Sequence, residues 1–293
     1  MSYFIQQIVY GLSAGSIYAL IALGYTMVYG IVKLINFAHG EVLMMGAYFT
    51  IFGIISFNIP IILALPISMV LCALLGMFID RVAYKPLRNA PRISALITAL
   101  GVSMFLSNFF KLLFGAEKRK MPDFPALKGG YVFGDVTIPY KAILTLVLTL
   151  VCLITLQIIV RKTKVGRAMR AVSEDKQAAQ LMGVNVDLTI SITFAIGSAL
   201  AAVGGVLYAI NYSQIFPTMG TLTGLKAFVA AVLGGIGILP GAMFGGFLIG
   251  IVENLTKGYG AGGWSNAVVF GILIIVLLVK PEGIFGKNTR EKV

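Results

Sequence analysis

The sequence predicts an all-α protein: a polytopic transmembrane helical bundle of about eight to ten spans, with discontinuous or re-entrant segments. Three observations predict it. The 293 residues are 58% hydrophobic and only 12% charged, half the share of about 25% usual in soluble domains. No Asp, Glu, Lys or Arg occurs in 1–32, 42–79, 93–110, 142–160, 188–225, 227–252 or 258–279. A helix needs about 20 apolar residues to cross a bilayer, and most of these stretches supply them. Glycine is abundant, at 34 residues, as in membrane helices that pack closely. Together these exclude a disordered chain, a coiled coil and an ordinary cytosolic enzyme.

The first span runs over residues 4–28. It has no basic n-region and no small-residue cleavage site, so it reads as a retained span rather than a signal peptide. The segment 30–41 then interrupts the apolar run with Lys33, Asn36, His39 and Glu41. Spans fit 42–57 and 61–79. A basic loop comes next, and 93–114 and 139–160 bracket a Pro/Gly-rich stretch too polar to cross. In the second half, spans fit 188–210, 222–238, 242–257 and 263–280, with Pro240-Gly241 dividing one long apolar run. This gives nine crossings with the N-terminus outside. Eight or ten result if 30–41 or 218–238 is re-entrant.

The whole chain, 1–293, reads as one membrane domain. Its net charge of +12 lies in the connections, which favours a lipid bilayer over nucleic acid as the partner. Residues 81–92 carry four basic residues, 161–187 six and 280–293 four, against six in 111–141. Span parity puts the first three on one side, and the basic excess makes that side cytoplasmic. The external segment is then about 115–138, the cytoplasmic segment about 161–187, and the tail 281–293 is cytoplasmic. Lys118, Arg119 and Lys120 run against this trend. Cys72 and Cys152 lie in apolar windows as small buried hydrophobes.

Small residues four apart fall on one helix face and let backbones approach. Gly11 and Gly15 (with Ala19), and Gly237, Gly241 and Gly245, are such candidates for helix packing. Polar groups at membrane depth are costly and line cavities or partners; Asn36, His39, Glu41 and Lys226 are the candidates for a translocation path. Helix-end hydrogen bonding for His39, and snorkelling for Glu41 and Lys226, are the competing structural explanations. Asp80, beside Arg81 at a span end, reads as interfacial. The surroundings of 36–46 and 219–235 are loosely alike: breakers, one charge flanked by glycine, then a small-residue helix. Discontinuous transporter helices look like this.

The segment 161–187 is the most informative outside the membrane. Gly166 allows a turn, 167–172 (Arg167, Ala168, Arg170) forms a short helix, and Ser173 reads as the N-cap of a second. Glu174 and Asp175 fill its first turn, and Gly183 ends it. The face of Ala178, Ala179, Leu181 and Met182 is small and apolar, suited to a groove on a soluble partner. Two motifs are decoys. GLSAG (11–15) fits a nucleophile pattern but lies in an apolar helix with no Asp or His placed to serve it. No phosphate-binding loop and no Cys/His metal pattern exists, so the chain has no ATPase site and no metal site of its own.

INFAHGE (35–41), YKPLRNAPR (84–92), TALGVS (98–103), GRAMRAVSEDKQAAQLMGVN (166–185), PTMGTLTGLKAFVAAVLGGIGILPGAMFGG (217–246) and KPEGIFG (280–286) resemble the LivH-type permease subunit of bacterial branched-chain amino-acid ABC importers. The resemblance runs from residue 1 to about 287. It implies a multi-pass subunit of the bacterial inner membrane that is not an enzyme. It implies pairing with a LivM-type second permease and two cytoplasmic ATPases, which carry the ATP and Mg while this chain binds no cofactor. It also implies a periplasmic amino-acid-binding protein delivering leucine, isoleucine or valine, and docking of 166–185 on the ATPase. Permeases of this family that carry urea, short amides or other amino acids are the alternative within the class. An ion-coupled secondary transporter is the alternative outside it.

Overall fold

The computed structural model describes residues 1–88 and 90–286. Residues 287–293, with Lys287, Arg290 and Lys292 of the basic tail, lie outside the described residues. The described residues form eleven α-helices in chain order: α1 Ser2–Val32, α2 His39–Phe57, α3 Ile61–Ile79, α4 Arg92–Phe114, α5 Tyr140–Lys162, α6 Lys164–Glu174, α7 Lys176–Leu181, α8 Val186–Tyr212, α9 Met219–Gly234, α10 Leu239–Gly258 and α11 Ser265–Val279. Two small antiparallel pairs sit at one end. One joins β1 (Arg119–Lys120) to β4 (Gln214–Ile215), and the other joins β2 (Gly130–Phe133) to β3 (Val136–Pro139).

Eight helical stretches are long and apolar enough to cross a membrane; α9, at 16 residues, is shorter. α1 is the axis of the bundle, buried along most of its length between α8, α9 and α10. α3, α4, α5 and α11 form the outside and turn large apolar side chains outward, among them Ile62, Leu112, Ile154 and Leu278. That inversion of the soluble pattern suits a hydrocarbon surround, where apolar side chains lose nothing by exposure.

Contacts sort the connections into two ends. At one, the N-terminal turn meets the strand region and the end of α10: Gln6 bonds Thr137 and Tyr3 bonds the Gly258 carbonyl. At the other lie 80–88, α6–α7, the α9–α10 turn and the start of the tail, with Ile284 N–H donating to the Leu233 carbonyl. α8 ends at the strand end and α10 starts at the opposite one. The chain between them descends as non-helical residues 213–218 and then α9. That composite segment is a ninth traverse that no single long helix provides.

The glycine faces pack in two directions. A Cβ on Gly11 would lie 2.6 Å from Ile251 Cα, one on Gly15 2.8 Å from Phe247 Cα, and one on Gly250 2.3 Å from Gly15 Cα. α1 and α10 therefore touch backbone to backbone. Gly241 and Gly245 face α9 instead, each within 2.2 Å of a carbonyl oxygen (Gly234 and Ala230) if given a Cβ. Gly237 departs from the expected helix face: it sits in the α9–α10 turn at φ +98°, a left-handed conformation that favours glycine.

Candidate functional site

Two half-buried breaks bring the starts of α2 and α9 together. α1 ends at Lys33, whose φ of 61° is left-handed. Residues 34–38 then fold back into the bundle, so that His39 packs beside Gly24, about 12 Å back along α1 at 1.5 Å per residue. From the other end, 213–218 descends until Ser107 of α4 bonds the Pro217 carbonyl. The two helix starts meet glycine on glycine. A Cβ on Gly40 would lie 2.4 Å from the Gly220 carbonyl oxygen, and one on Gly224 would lie 2.8 Å from Gly40 Cα.

Glu41 sits at this junction and is fully buried. Its Oε1 accepts from Thr221 Oγ1 at 2.8 Å and from Ser103 Oγ at 3.2 Å. Its Oε2 has no partner among the described residues, and neither has Nε2 of the buried His39. Thr218, Thr221 and Leu222 beside it are exposed on the flank of the bundle. Helix starts carry a partial positive charge, although here the N–H groups of His39, Glu41, Val42 and Met219 already donate to turn carbonyls. The junction thus combines two helix-dipole ends that favour an anion with a carboxylate whose second oxygen is buried and unpartnered among the described residues. Snorkelling does not describe Glu41 or Lys226, since both are buried.

Lys226 lies elsewhere, in an ion pair. Its Nζ is 2.7 Å from Glu253 Oε1; Lys257 pairs with the same oxygen, and Tyr18 donates to Oε2 at 2.6 Å. The lysine is neutralised between α9 and α10 and does not reach the junction. Asn36 is buried too, and its Oδ1 accepts from Tyr84 Oη at 2.9 Å.

At the opposite end α6 and α7 form a compact knob. Thr163 caps α6 by accepting from Gly166 N–H at 3.0 Å. Gly166 sits in the first turn of α6, where a Cβ would lie 2.2 Å from the Ile159 and Val160 carbonyl oxygens. It permits a close approach rather than a turn. α6 includes Arg167, Ala168 and Arg170 and runs on through Ser173 to Glu174, because Met169 and Val172 bury its inner face. Ser173 is therefore inside a helix, donating to the Arg170 carbonyl. The cap of α7 is Asp175, which accepts from Gln177 N–H at 2.8 Å and Ala178 N–H at 3.0 Å. Gly183, at φ +82°, terminates the helix. Ala179 turns inward and is buried, so the outward face is Ala178, Leu181 and Met182, the last two 88% and 84% exposed.

A groove of about 760 Å³ lies between α7 and the 85–88 turn, lined by Lys85, Arg88, Lys176 and Asp187. Partial burial first, and the Arg88 guanidinium second, hold the Lys176 amine below the ordinary lysine range. Asp80, expected at the interface, is fully buried. Arg88 bonds both its carboxylate oxygens, at 2.8 and 2.9 Å, and Ser191 donates to it at 2.6 Å. Ser103, Thr221 and Tyr84 are parts of these networks that a reading of isolated charges does not reach. The YKPLRNAPR, TALGVS and 217–246 motifs contain all three.

An apolar bundle interrupted at depth by two opposed helix starts around a buried carboxylate defines a membrane permease. A family profile described as branched-chain amino acid transport system / permease component matches residues 7–278. The high-affinity branched-chain amino acid transport system permease protein BraD of Pseudomonas aeruginosa is 43% identical over 304 residues, covering 99% of this chain and 98% of the relative. The corresponding LivH protein of Escherichia coli K12 matches at the same identity and coverage. The chain belongs to the family of permease components of branched-chain amino-acid transport systems.

Proposed function

We propose that this chain is the permease subunit of an ATP-driven, binding-protein-dependent importer that passes leucine, isoleucine and valine across the bacterial inner (cytoplasmic) membrane by alternating access. The observation that carries the reading is the α2–α9 junction. A zwitterionic amino acid needs two opposite partners at once. The unpartnered oxygen of Glu41 complements the ammonium once the path opens, and the positive ends of the facing helix dipoles complement the carboxylate. The apolar walls accept the branched side chain. The names of the relatives support this cargo. Lys226, already paired, braces α9 against α10 and takes no part in the path; Asn36 and His39 set the position of the junction.

The knob supplies the drive. Gly166 seats α6 tightly under α5, and Ala178, Leu181 and Met182 present an apolar face to a cytoplasmic ATPase. Arg167, Ala168 and Arg170 of α6 belong to the same docking body. Two such ATPases hold the ATP and Mg²⁺, and this chain binds no cofactor. A LivM-type second permease faces the flank at Thr218, Thr221 and Leu222 across the path. Beside it the non-helical residues 213–218 lie at membrane depth, which is tolerated only against protein or a water-lined cavity. A periplasmic amino-acid-binding protein docks at the strand end, where Tyr131, Val132 and Phe133 are exposed.

Uptake of labelled leucine and labelled urea, in cells deleted for the chain and complemented with it, tests the reading. Leucine uptake restored by the chain and insensitive to a protonophore while ATP is maintained is the expected result. Restoration of urea uptake alone would reassign the cargo within the family. Collapse with the proton gradient would favour an ion-coupled transporter.

A further inference from the structure

Between α3 and α4 the helix does not simply stop. Residues Asp80–Tyr84 form one π-helical turn, and a 3-10 turn over Lys85–Leu87 succeeds it. Single π turns inside helices are uncommon and recur at functional sites. This one is tied in two directions. Toward the knob, Asp80 is gripped by Arg88, which also reaches Asp187 at the start of α8, and Lys85 pairs with the same Asp187 at 2.7 Å. Residues 185–187 come directly after α7 and its terminating Gly183. Toward the junction, the buried Tyr84 hydroxyl donates to Asn36, and the Asn36 carbonyl accepts the N–H of His39, the first residue of α2. Three hydrogen bonds (Arg88 to Asp187, Tyr84 to Asn36, and His39 N–H to Asn36), joined through the backbone of the 84–88 turn, therefore connect the foot of the knob to the start of the helix that carries Glu41.

We propose that Tyr84 and Arg88 are positioning residues of the transport cycle, forming a joint through which movement of the α6–α7 knob shifts the start of α2. This rests on the coupling role proposed above and adds residues that touch neither cargo nor ATPase. The π turn supplies the discrete alternative that such a joint needs. It holds one residue more than an α turn, and its conversion to α-helix rotates the downstream chain by about 100°. Arg88 suits the knob side, because its planar guanidinium fixes the direction of its bonds to two carboxylates, whereas a lysine ammonium on a flexible stem does not. Tyr84 suits the junction side, because its ring is locked against Phe194 of α8, with centroids 5.2 Å apart, while its hydroxyl alone reaches the break.

The test uses the complete importer in proteoliposomes, with its second permease, ATPases and binding protein. ATP hydrolysis and leucine uptake are measured together. Tyr84→Phe removes one oxygen and keeps the packing. The expected result is hydrolysis close to wild type with uptake per ATP lowered about tenfold, within the usual range of coupling between sites. Asn36→Ala removes the acceptor from the other side and must lower uptake per ATP likewise. Arg88→Lys must do so as well, and Tyr84→Phe combined with Arg88→Lys must be no worse than the poorer single variant, since the two act in series. Wild-type uptake per ATP in Tyr84→Phe overturns the joint. So does a parallel fall of hydrolysis and uptake that tracks a lower melting temperature, which marks a structural brace. A wild-type chain that recruits no ATPase sinks the proposed function itself, a distinct outcome.

Discussion

Glu41 and Glu253 are both buried carboxylates, and their surroundings give them different work. Glu253 has two lysines and a tyrosine, so its charge is fully answered. Glu41 has two hydroxyl donors on one oxygen and none on the other among the described residues. Glu41→Gln keeps the carbonyl acceptor for Thr221 and Ser103 and loses the charge. The chain should assemble normally, and leucine uptake should fall by about tenfold or more, the loss expected when a charged hydrogen bond to cargo goes. Glu253→Gln should strand Lys226 instead and destabilise by about 3–5 kcal/mol, read as a lower melting temperature in detergent. The sequence marks Glu41 and Lys226 because an ionisable group in an apolar run stands out. It does not mark Ser103 or Thr221, which are neutral and reach Glu41 from 62 and 180 residues away in the chain. Nor does it separate Ser173 from Asp175 as a cap: both are good cap residues, and burial of Met169 and Val172 decides between them.

At the scale of elements, the glycine spacing of α1 and α10 translates directly into backbone contact. Gly15→Ala should already fail, because the added methyl would meet the backbone of Phe247, which cannot yield as a side chain can. A marked drop in folded, membrane-inserted protein by size-exclusion profile is the expected reading, and a normal profile would contradict the packing. The knob makes the complementary prediction. Leu181→Asp with Met182→Asp changes two exposed side chains that pack on nothing, so stability should hold within about 0.5 kcal/mol while ATPase co-purification is lost. Helix existence and span order are legible in the sequence because a 3.6-residue period and apolar length fix them locally. The ninth traverse is less so. A non-helical segment leading into a short helix has no hydropathy signature that separates it from one span, so 222–238 reads from sequence as a single crossing helix.

As a whole, the molecule is a conduit whose movable parts lie at two levels. α1, α8 and α10 form a tightly packed frame. α2 and α9 begin inside it, free of helical continuity with the helices above and below them, and the knob hangs from α5 and α8. On the proposed coupling, force entering at the knob repositions helix starts rather than bending long helices. The direct measurement is the sidedness of the junction. A Thr221→Cys variant in the complete reconstituted importer is challenged with an impermeant thiol reagent from each face, with and without ATP. The account predicts that the accessible face switches when ATP is added, and that Leu181→Asp with Met182→Asp abolishes the switch. The same accessibility from both faces whatever the nucleotide, or a switch that survives loss of the knob's apolar face, would contradict it.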